Sequence, residues 1–143
     1  MREKTFSSDR PENPFEIIHI LDGYCTVLFF DNIEEFEDDE GNKNYKYDLY
    51  TLDKVIFRDN LEDMISNNLA EWLNKAKEYD YNKCAKEIRA KRDRLLNETD
   101  WTQMTDTALS ESKKEAYRVY RQELRDVPEQ EGFPYNVIWP EGV

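Results

Sequence analysis

The chain has 143 residues and carries 32 acidic against 20 basic side chains, which gives a net charge of −12 at pH 7. This length suits one compact domain, or a small domain with an appendage, and the aromatic content of 13% indicates a folded rather than a disordered chain. A strongly acidic surface repels nucleic acid and anionic membranes, so the composition argues against partners of both kinds.

The first residues of the chain and its two cysteines indicate in which cellular compartment the protein is expected. No early apolar stretch follows residues 1–4, and no run of about 18 apolar residues occurs, so we expect neither a secretory signal nor a membrane span. Cys25 and Cys84 have no neighbour at metal-ligand spacing. We expect both to be reduced and to act as small core residues of a cytosolic protein.

The first thirty residues predict a loose arm followed by a β-hairpin. Residues 1–14 are polar and interrupted by prolines, whereas Phe15–Leu21 and Tyr24–Phe30 are apolar runs separated by the turn signal Asp22-Gly23. The second run contains four consecutive apolar residues, Val27–Phe30, instead of an alternating pattern. This continuity predicts a strand that is covered on both faces.

Six of the seven residues from Glu34 to Glu40 are acidic, and Gly41 follows them. A calcium-binding loop would place its glycine sixth, a ligand first and a glutamate twelfth. With Gly41 in the sixth position, Phe36 is first and Tyr47 is twelfth, so the template fails at both anchors. The segment therefore predicts a solvated hairpin loop.

The stretch from Tyr45 to Phe57 completes the predicted sheet. Alternation from Tyr45 to Tyr50 indicates a half-buried strand, and a turn at residues 52–54 would lead to a short last strand at residues 55–57. Residues 1–58 thus predict a small antiparallel sheet of three or four strands, which needs a covering helix.

A helical region is predicted from residue 59 to the C-terminus. Asp59 and Glu62 have capping-box spacing, and an apolar stripe follows at helical spacing: Leu61, Met64, Ile65, Leu69, Trp72, Leu73 and Ala76. A second apolar set, from residue 81 to residue 96, is out of phase with the first. The buried face must change near residues 79–82. A helix break there is favoured, because Asp and Asn are poor helix-interior residues, and one long helix with different partners at its ends is the alternative.

The second half of this region predicts a helical hairpin and a tail. Ser110 is a candidate cap for a last helix that ends near Asp126, before Pro128. Trp101 and two tyrosines of this region are expected in the core, whereas residues 133–139 are expected to be extended and to lie on the hairpin or present aromatic side chains to a partner. The fold class is therefore α+β: a small N-terminal antiparallel β-meander packed on a helix, then a C-terminal α-helical hairpin and an extended tail.

A dense basic cluster precedes the hairpin turn, at Arg89, Lys91, Arg92 and Arg94. It lacks interleaved exposed aromatic residues, so pairing with nearby acids and with the helix dipole is favoured over a nucleic-acid patch. The single histidine, His19, lies in an apolar strand and is expected to be structural. No phosphate-binding glycine loop or zinc spacing occurs, so we predict no catalytic residue, no metal, no cofactor and no enzyme activity.

Four motifs occur in order near the C-terminus: an Arg-x-x-Leu-Leu helix end at residues 92–96, Asp-Trp-Thr-Gln at residues 100–103, Tyr-Arg-x-x-Leu-Arg-Asp at residues 120–126, and Trp-Pro at residues 139–140. Their order over residues 89–140 resembles the phage tail assembly chaperone family and is distantly similar to the tail fibre assembly proteins. The resemblance departs from the pattern at Tyr117, a position often held by Trp.

The resemblance implies a non-catalytic chaperone in the host bacterial cytoplasm that binds a phage tail or tail-fibre protein during virion assembly. The acidic composition predicts no nucleic acid and no membrane partner, and a homo-oligomer stays possible. The expected partner-binding residues are Phe133, Tyr135 and Trp139. The alternatives are an acidic inhibitor that mimics nucleic acid, and a structural tail component that is retained in the virion.

Overall fold

The computed structural model describes residues 2–143 and confirms the α+β class. Four strands come first: β1 Thr5–Ser7, β2 Phe15–Leu21, β3 Tyr24–Glu37 and β4 Lys43–Ile56. The helices follow: α1 Leu61–Asn67, α2 Leu69–Glu98 and α3 Glu111–Asp126, with short 3₁₀ helices at Asp100–Gln103 and Val127–Glu129. In residues 2–143 no helix is both long enough and apolar enough to cross a membrane.

The sheet is antiparallel, with the strand order β1-β4-β3-β2. The prediction of a loose arm before residue 14 is wrong for β1, in which Thr5 pairs with Tyr47 and Ser7 with Tyr45. A three-residue strand leaves almost no periodic signal in the sequence, because its pairing is decided by the neighbouring strand.

The predicted β2–β3 hairpin is present. Asp22 and Gly23 both have positive φ, at 52° and 77°, as a tight two-residue hairpin turn requires. One extra residue in β2 between Ile18 and Leu21 forms a bulge, where His19 has a φ of 51° and its side chain is exposed. His19 is therefore a surface residue of the bulge.

Strand β4 is longer than the sequence predicts. The expected turn at residues 52–54 is wrong, because β4 runs unbroken to Ile56 and accommodates one extra residue opposite Cys25–Val27. Lys54 takes the positive φ, 57°, at this bulge. The acidic stretch is also divided differently: residues 34–37 belong to β3, and only residues 38–42 form the loop of the hairpin.

Helix α2 is continuous through Tyr79–Asn82, so the favoured break there is wrong. The chain breaks instead at Asn68, between α1 and α2. The predicted change of buried face is correct, since Ala76 is buried in the first part of α2 and Ala85 in the second. The predicted Asp59 cap is not formed: α1 begins after Asn60 and has no side-chain cap.

Two compact units share helix α2. The N-terminal unit comprises residues 2–81, and the C-terminal unit comprises residues 82–143. In the N-terminal unit, one face of the sheet packs against α1 and the first part of α2, with a core that includes Phe15, Cys25, Val27, Phe29, Leu61 and Ile65. Burial raises the pKa of the Cys25 thiol, which is consistent with its predicted role as a small core residue.

Candidate partner-binding surface

The C-terminal end of α2 is held by an arginine from α3. The guanidinium of Arg121 donates to the carbonyl oxygen of Leu96 at 2.6 Å, to the hydroxyl of Thr99 at 2.8 Å and to the carboxylate of Asp100 at 2.6 Å. The last carbonyls of a helix lack partners within the helix, and a cation is favoured there by the helix dipole. Arg121 therefore joins α3 to the end of α2 and to the two residues beyond it, Thr99 and Asp100, with three charge-assisted hydrogen bonds.

The 3₁₀ helix that follows is built from the Asp-Trp-Thr-Gln motif. Thr102 is fully buried and its hydroxyl donates to the carbonyl of Thr99 at 2.6 Å. The ring of Trp101 meets that of Tyr117 edge-on, with centroids 6.1 Å apart. Nevertheless 48% of Trp101 is exposed, so the expectation that it is a core residue is wrong. Its side chain is a partly exposed aromatic group on the surface of this 3₁₀ helix.

Helix α3 begins and ends as predicted. Ser110 accepts a hydrogen bond from the backbone N–H of Lys113 at 3.3 Å, and the helix ends at Asp126, before Pro128. Its buried side is formed by Tyr120, Arg121 and Leu124, and Val127, the first residue of the following 3₁₀ helix, is also buried. Arg121 belongs to the buried side although it is charged, because its guanidinium is bonded at the end of α2.

The expectation that residues 133–139 are extended is wrong for residues 133–136, which belong to a turn that spans residues 131–136. The segment from residue 137 onward lacks regular structure. The N–H of Asn136 donates to the carbonyl of Gly132 at 2.7 Å. A Cβ atom on residue 132 would lie 2.2 Å from the carbonyl oxygen of Asn136, so only glycine fits there. The side-chain amide of Gln130 then pairs with the backbone of Ile138, donating to its oxygen at 2.7 Å and accepting from its N–H at 2.8 Å.

Two residues of the basic cluster lie over aromatic rings of the tail. The guanidinium of Arg89 is 5.1 Å from the ring centroid of Phe133, and the ammonium of Lys91 is 4.2 Å from that of Trp139. Both distances fall within the range of a cation–π interaction. These contacts join the tail to α2.

The other two arginines of the cluster pair with acids of α2. Arg92 bonds the carboxylate of Asp93 through two nitrogens, at 2.8 and 2.7 Å, and Arg94 is 3.8 Å from Glu98. Pairing with these acids is the arrangement that the sequence favours for the cluster. The additional contacts with the aromatic rings were not predicted, because they join residues that are more than 40 positions apart.

The three predicted partner-binding residues are all half-buried in the tail: Phe133, Tyr135 and Trp139. Beside them, Ile138 is 77% exposed, the largest exposed fraction among the large apolar side chains of residues 2–143. The sequence did not indicate Ile138, because nothing in the residues next to it predicts that its side chain is exposed whereas that of Trp139 is half-buried. An exposed isoleucine beside aromatic residues that contact α2 is a candidate docking surface for an apolar partner.

The acidic hairpin of the N-terminal unit is a self-contained turn. Asp38 accepts hydrogen bonds from the backbone N–H groups of Asn42 and Glu40 and from side-chain amides, and these bonds hold the pKa of its carboxyl below the usual range. Glu34 and Glu35 pair across the hairpin with Lys46 and Lys43, which lowers the pKa of both glutamates. Within residues 2–143 no group of three or more His, Cys, Asp and Glu side chains is placed to hold a metal ion.

Residues 85–142 match the family model of phage tail assembly chaperone proteins. The match confirms the resemblance indicated by the four ordered motifs, and it lies wholly within the C-terminal unit. It covers less than half of the chain and includes the Arg121 contacts, the 3₁₀ helix and the tethered tail. No curated protein and no solved structure matches the chain.

Proposed function

We propose that this protein is a phage tail or tail-fibre assembly chaperone, which binds a tail or fibre protein in the host bacterial cytoplasm during virion assembly and performs no catalysis. The observation that supports this most is the family match over residues 85–142, combined with exposed apolar side chains in the same region. A chaperone that acts by covering apolar surface needs an exposed apolar or aromatic docking surface rather than a reactive group.

The proposed docking surface is the tail, with Phe133, Tyr135, Trp139 and the exposed Ile138. The cations of α2 lie over two of its rings, and Gln130 fixes the backbone at Ile138. A segment that is already ordered loses less conformational entropy on binding than a flexible one, so more of the contact energy contributes to affinity. The half-buried aromatic residues would then border Ile138 as the anchor.

Mimicry of nucleic acid is less well supported by the acidic hairpin. A mimic needs carboxylates in one continuous array, whereas Glu34 and Glu35 are each paired with a lysine of the neighbouring strand. Retention in the virion as a structural tail component is distinguished by mass spectrometry of purified particles, in which an assembly chaperone is absent.

The test is co-purification from cells that express the tagged protein together with the tail and fibre proteins encoded beside it. We expect capture of one of these proteins, with capture reduced by Ile138→Glu and abolished by deletion of residues 133–143. Val119→Glu is the matched control, because Val119 is also exposed but lies on α3. Equal capture by both point variants would rule out the tail as the docking surface, and salt-sensitive capture of a DNA-binding host enzyme would favour mimicry.

A further inference from the structure

The sheet of the N-terminal unit has two apolar faces, and only one of them is packed under helices. Along β3, Val27 and Phe29 point to the helix side and are completely buried. Leu28 and Phe30 alternate with them and therefore point to the opposite face, where they are only half-buried. This second face is here called the open face.

Side chains near the β2–β3 turn extend the apolar surface of the open face. Leu21 pairs with Tyr24, and Tyr24 pairs with Ile56, so the three side chains form one row across three strands. Their exposed fractions are 72%, 52% and 57%. Tyr24 is six residues from Phe30, so this row and the apolar side chains of Leu28 and Phe30 lie within roughly 20 Å along β3. Thr26, which donates to Asp53 at 3.0 Å, lies between them.

A groove lies at the other end of the same face. Its volume is about 520 Å³, and its apolar floor is formed by Leu28, Phe30, Tyr47 and Leu49. The polar segment between β1 and β2 forms its wall. An open groove with an apolar floor and a polar wall, on the same face as an exposed apolar row, can accept an extended segment of another polypeptide.

The charges around the groove select the partner. Asp9, Glu12 and Glu16 line it, against a single cation, Arg10. A second copy of this chain would bring the same acidic rim into contact with itself, which is unfavourable. An apolar segment that carries Lys or Arg side chains would meet charges of the opposite sign.

We propose that the open face binds an apolar, cationic segment of a partner polypeptide, with the Leu21, Tyr24 and Ile56 row and the groove floor making the apolar contacts. The proposed surface uses other residues than the proposed tail surface, and it does not depend on the chaperone function. It assigns a role to the continuous apolar run Val27–Phe30, since this run provides one covered face and one binding face.

The test uses three labelled peptides of equal length, which alternate Leu with Lys, Leu with Glu, or Ser with Lys, and measures binding by fluorescence anisotropy. We expect the Leu and Lys peptide to bind, and binding to become about tenfold weaker in the double variant Leu21→Thr, Ile56→Thr, because two exposed apolar contacts are lost. The double variant Glu12→Gln, Glu16→Gln should also weaken binding and reduce its dependence on salt.

The controls separate this proposal from its alternatives. Ile138→Glu, the test variant of the tail, should leave binding of the Leu and Lys peptide unchanged, so failure of either surface is seen independently. The proposal is overturned if the Leu and Glu peptide or the Ser and Lys peptide binds as tightly as the Leu and Lys peptide. It is also overturned if the double variant Leu21→Thr, Ile56→Thr binds the Leu and Lys peptide as tightly as the unchanged protein does. It is also overturned if sedimentation shows a dimer that Leu21→Thr dissociates, because the open face would then bind a second copy.

Discussion

Replacement of Arg121 by methionine should destabilise the C-terminal unit more than any change of an exposed arginine on the same helix. Methionine is unbranched and apolar like the aliphatic part of arginine, but it cannot form the three hydrogen bonds to Leu96, Thr99 and Asp100. The side chain of Arg121 is 10% exposed, so the groups left without a donor are poorly compensated by water. The partner Asp100 is 57% exposed, so its share of the interaction is small.

Hydrogen bonds that involve a charged group contribute about 1.5–3 kcal/mol each, and these three share one donor group and are not additive. We therefore expect Arg121→Met to lower the free energy of local unfolding by about 2–4 kcal/mol. Hydrogen exchange measured by mass spectrometry on peptides covering residues 95–104 reports this quantity directly. It also avoids the assumption that both units unfold together.

The matched control is Arg125→Met, because Arg125 is exposed on the same helix. A surface substitution of this kind should change stability by no more than about 0.5 kcal/mol. Arg121→Lys should recover only part of the stability, since a single ammonium cannot reproduce the planar fork that reaches three acceptors. If Arg121→Met and Arg125→Met accelerate exchange equally, the arginine does not hold the end of α2 and the reasoning is refuted.

Three further perturbations test other parts of the structure. Gly132→Ala should lower the melting temperature, at a cost of about 1–3 kcal/mol for the forced overlap with the Asn136 carbonyl, whereas Gly142→Ala, which has open space around it, should not. Phe29→Ala should destabilise the N-terminal unit by about 3–5 kcal/mol in urea unfolding, and unchanged stability would contradict the assigned core. Burial raises the pKa of Asp48, but hydrogen bonds from its asparagine and lysine partners outweigh this and leave it lowered, so its stabilising contribution is complete above the unfolded pKa and is lost as the pH falls through the lower folded value. Asp48→Asn should therefore show a smaller loss of stability below about pH 4 in acid titration, and identical titrations would count against this pairing.

Turns and helix ends that are determined by neighbouring residues could be predicted from this sequence. The turn at Asp22-Gly23 needs positive φ, Ser110 supplies a side-chain acceptor for the first turn of α3, and a proline at residue 128 prevents the helix from continuing. The change of buried face in α2 is also visible, since it is a property of the apolar periodicity.

Features that depend on distant residues are not predictable in the same way. Helix α2 is continuous through residues 79–82, so the weak helix propensity of Asp and Asn does not end the helix there. Arg121 is a charged residue on a helix with many exposed charges, so its sequence position does not indicate burial. Its burial depends on acceptors that are more than 20 residues away in the sequence. Likewise, nothing local distinguishes the exposed Ile138 from its half-buried neighbour Trp139.

The most direct test of the proposed function measures how much of the captured tail protein stays soluble as this protein is added in increasing amounts. A non-catalytic chaperone should increase the soluble fraction up to a fixed molar ratio, without nucleotide, and Ile138→Glu should raise the amount required. A soluble fraction that does not change, or one that is restored by a small fraction of an equivalent, would contradict stoichiometric binding of a tail protein as the function.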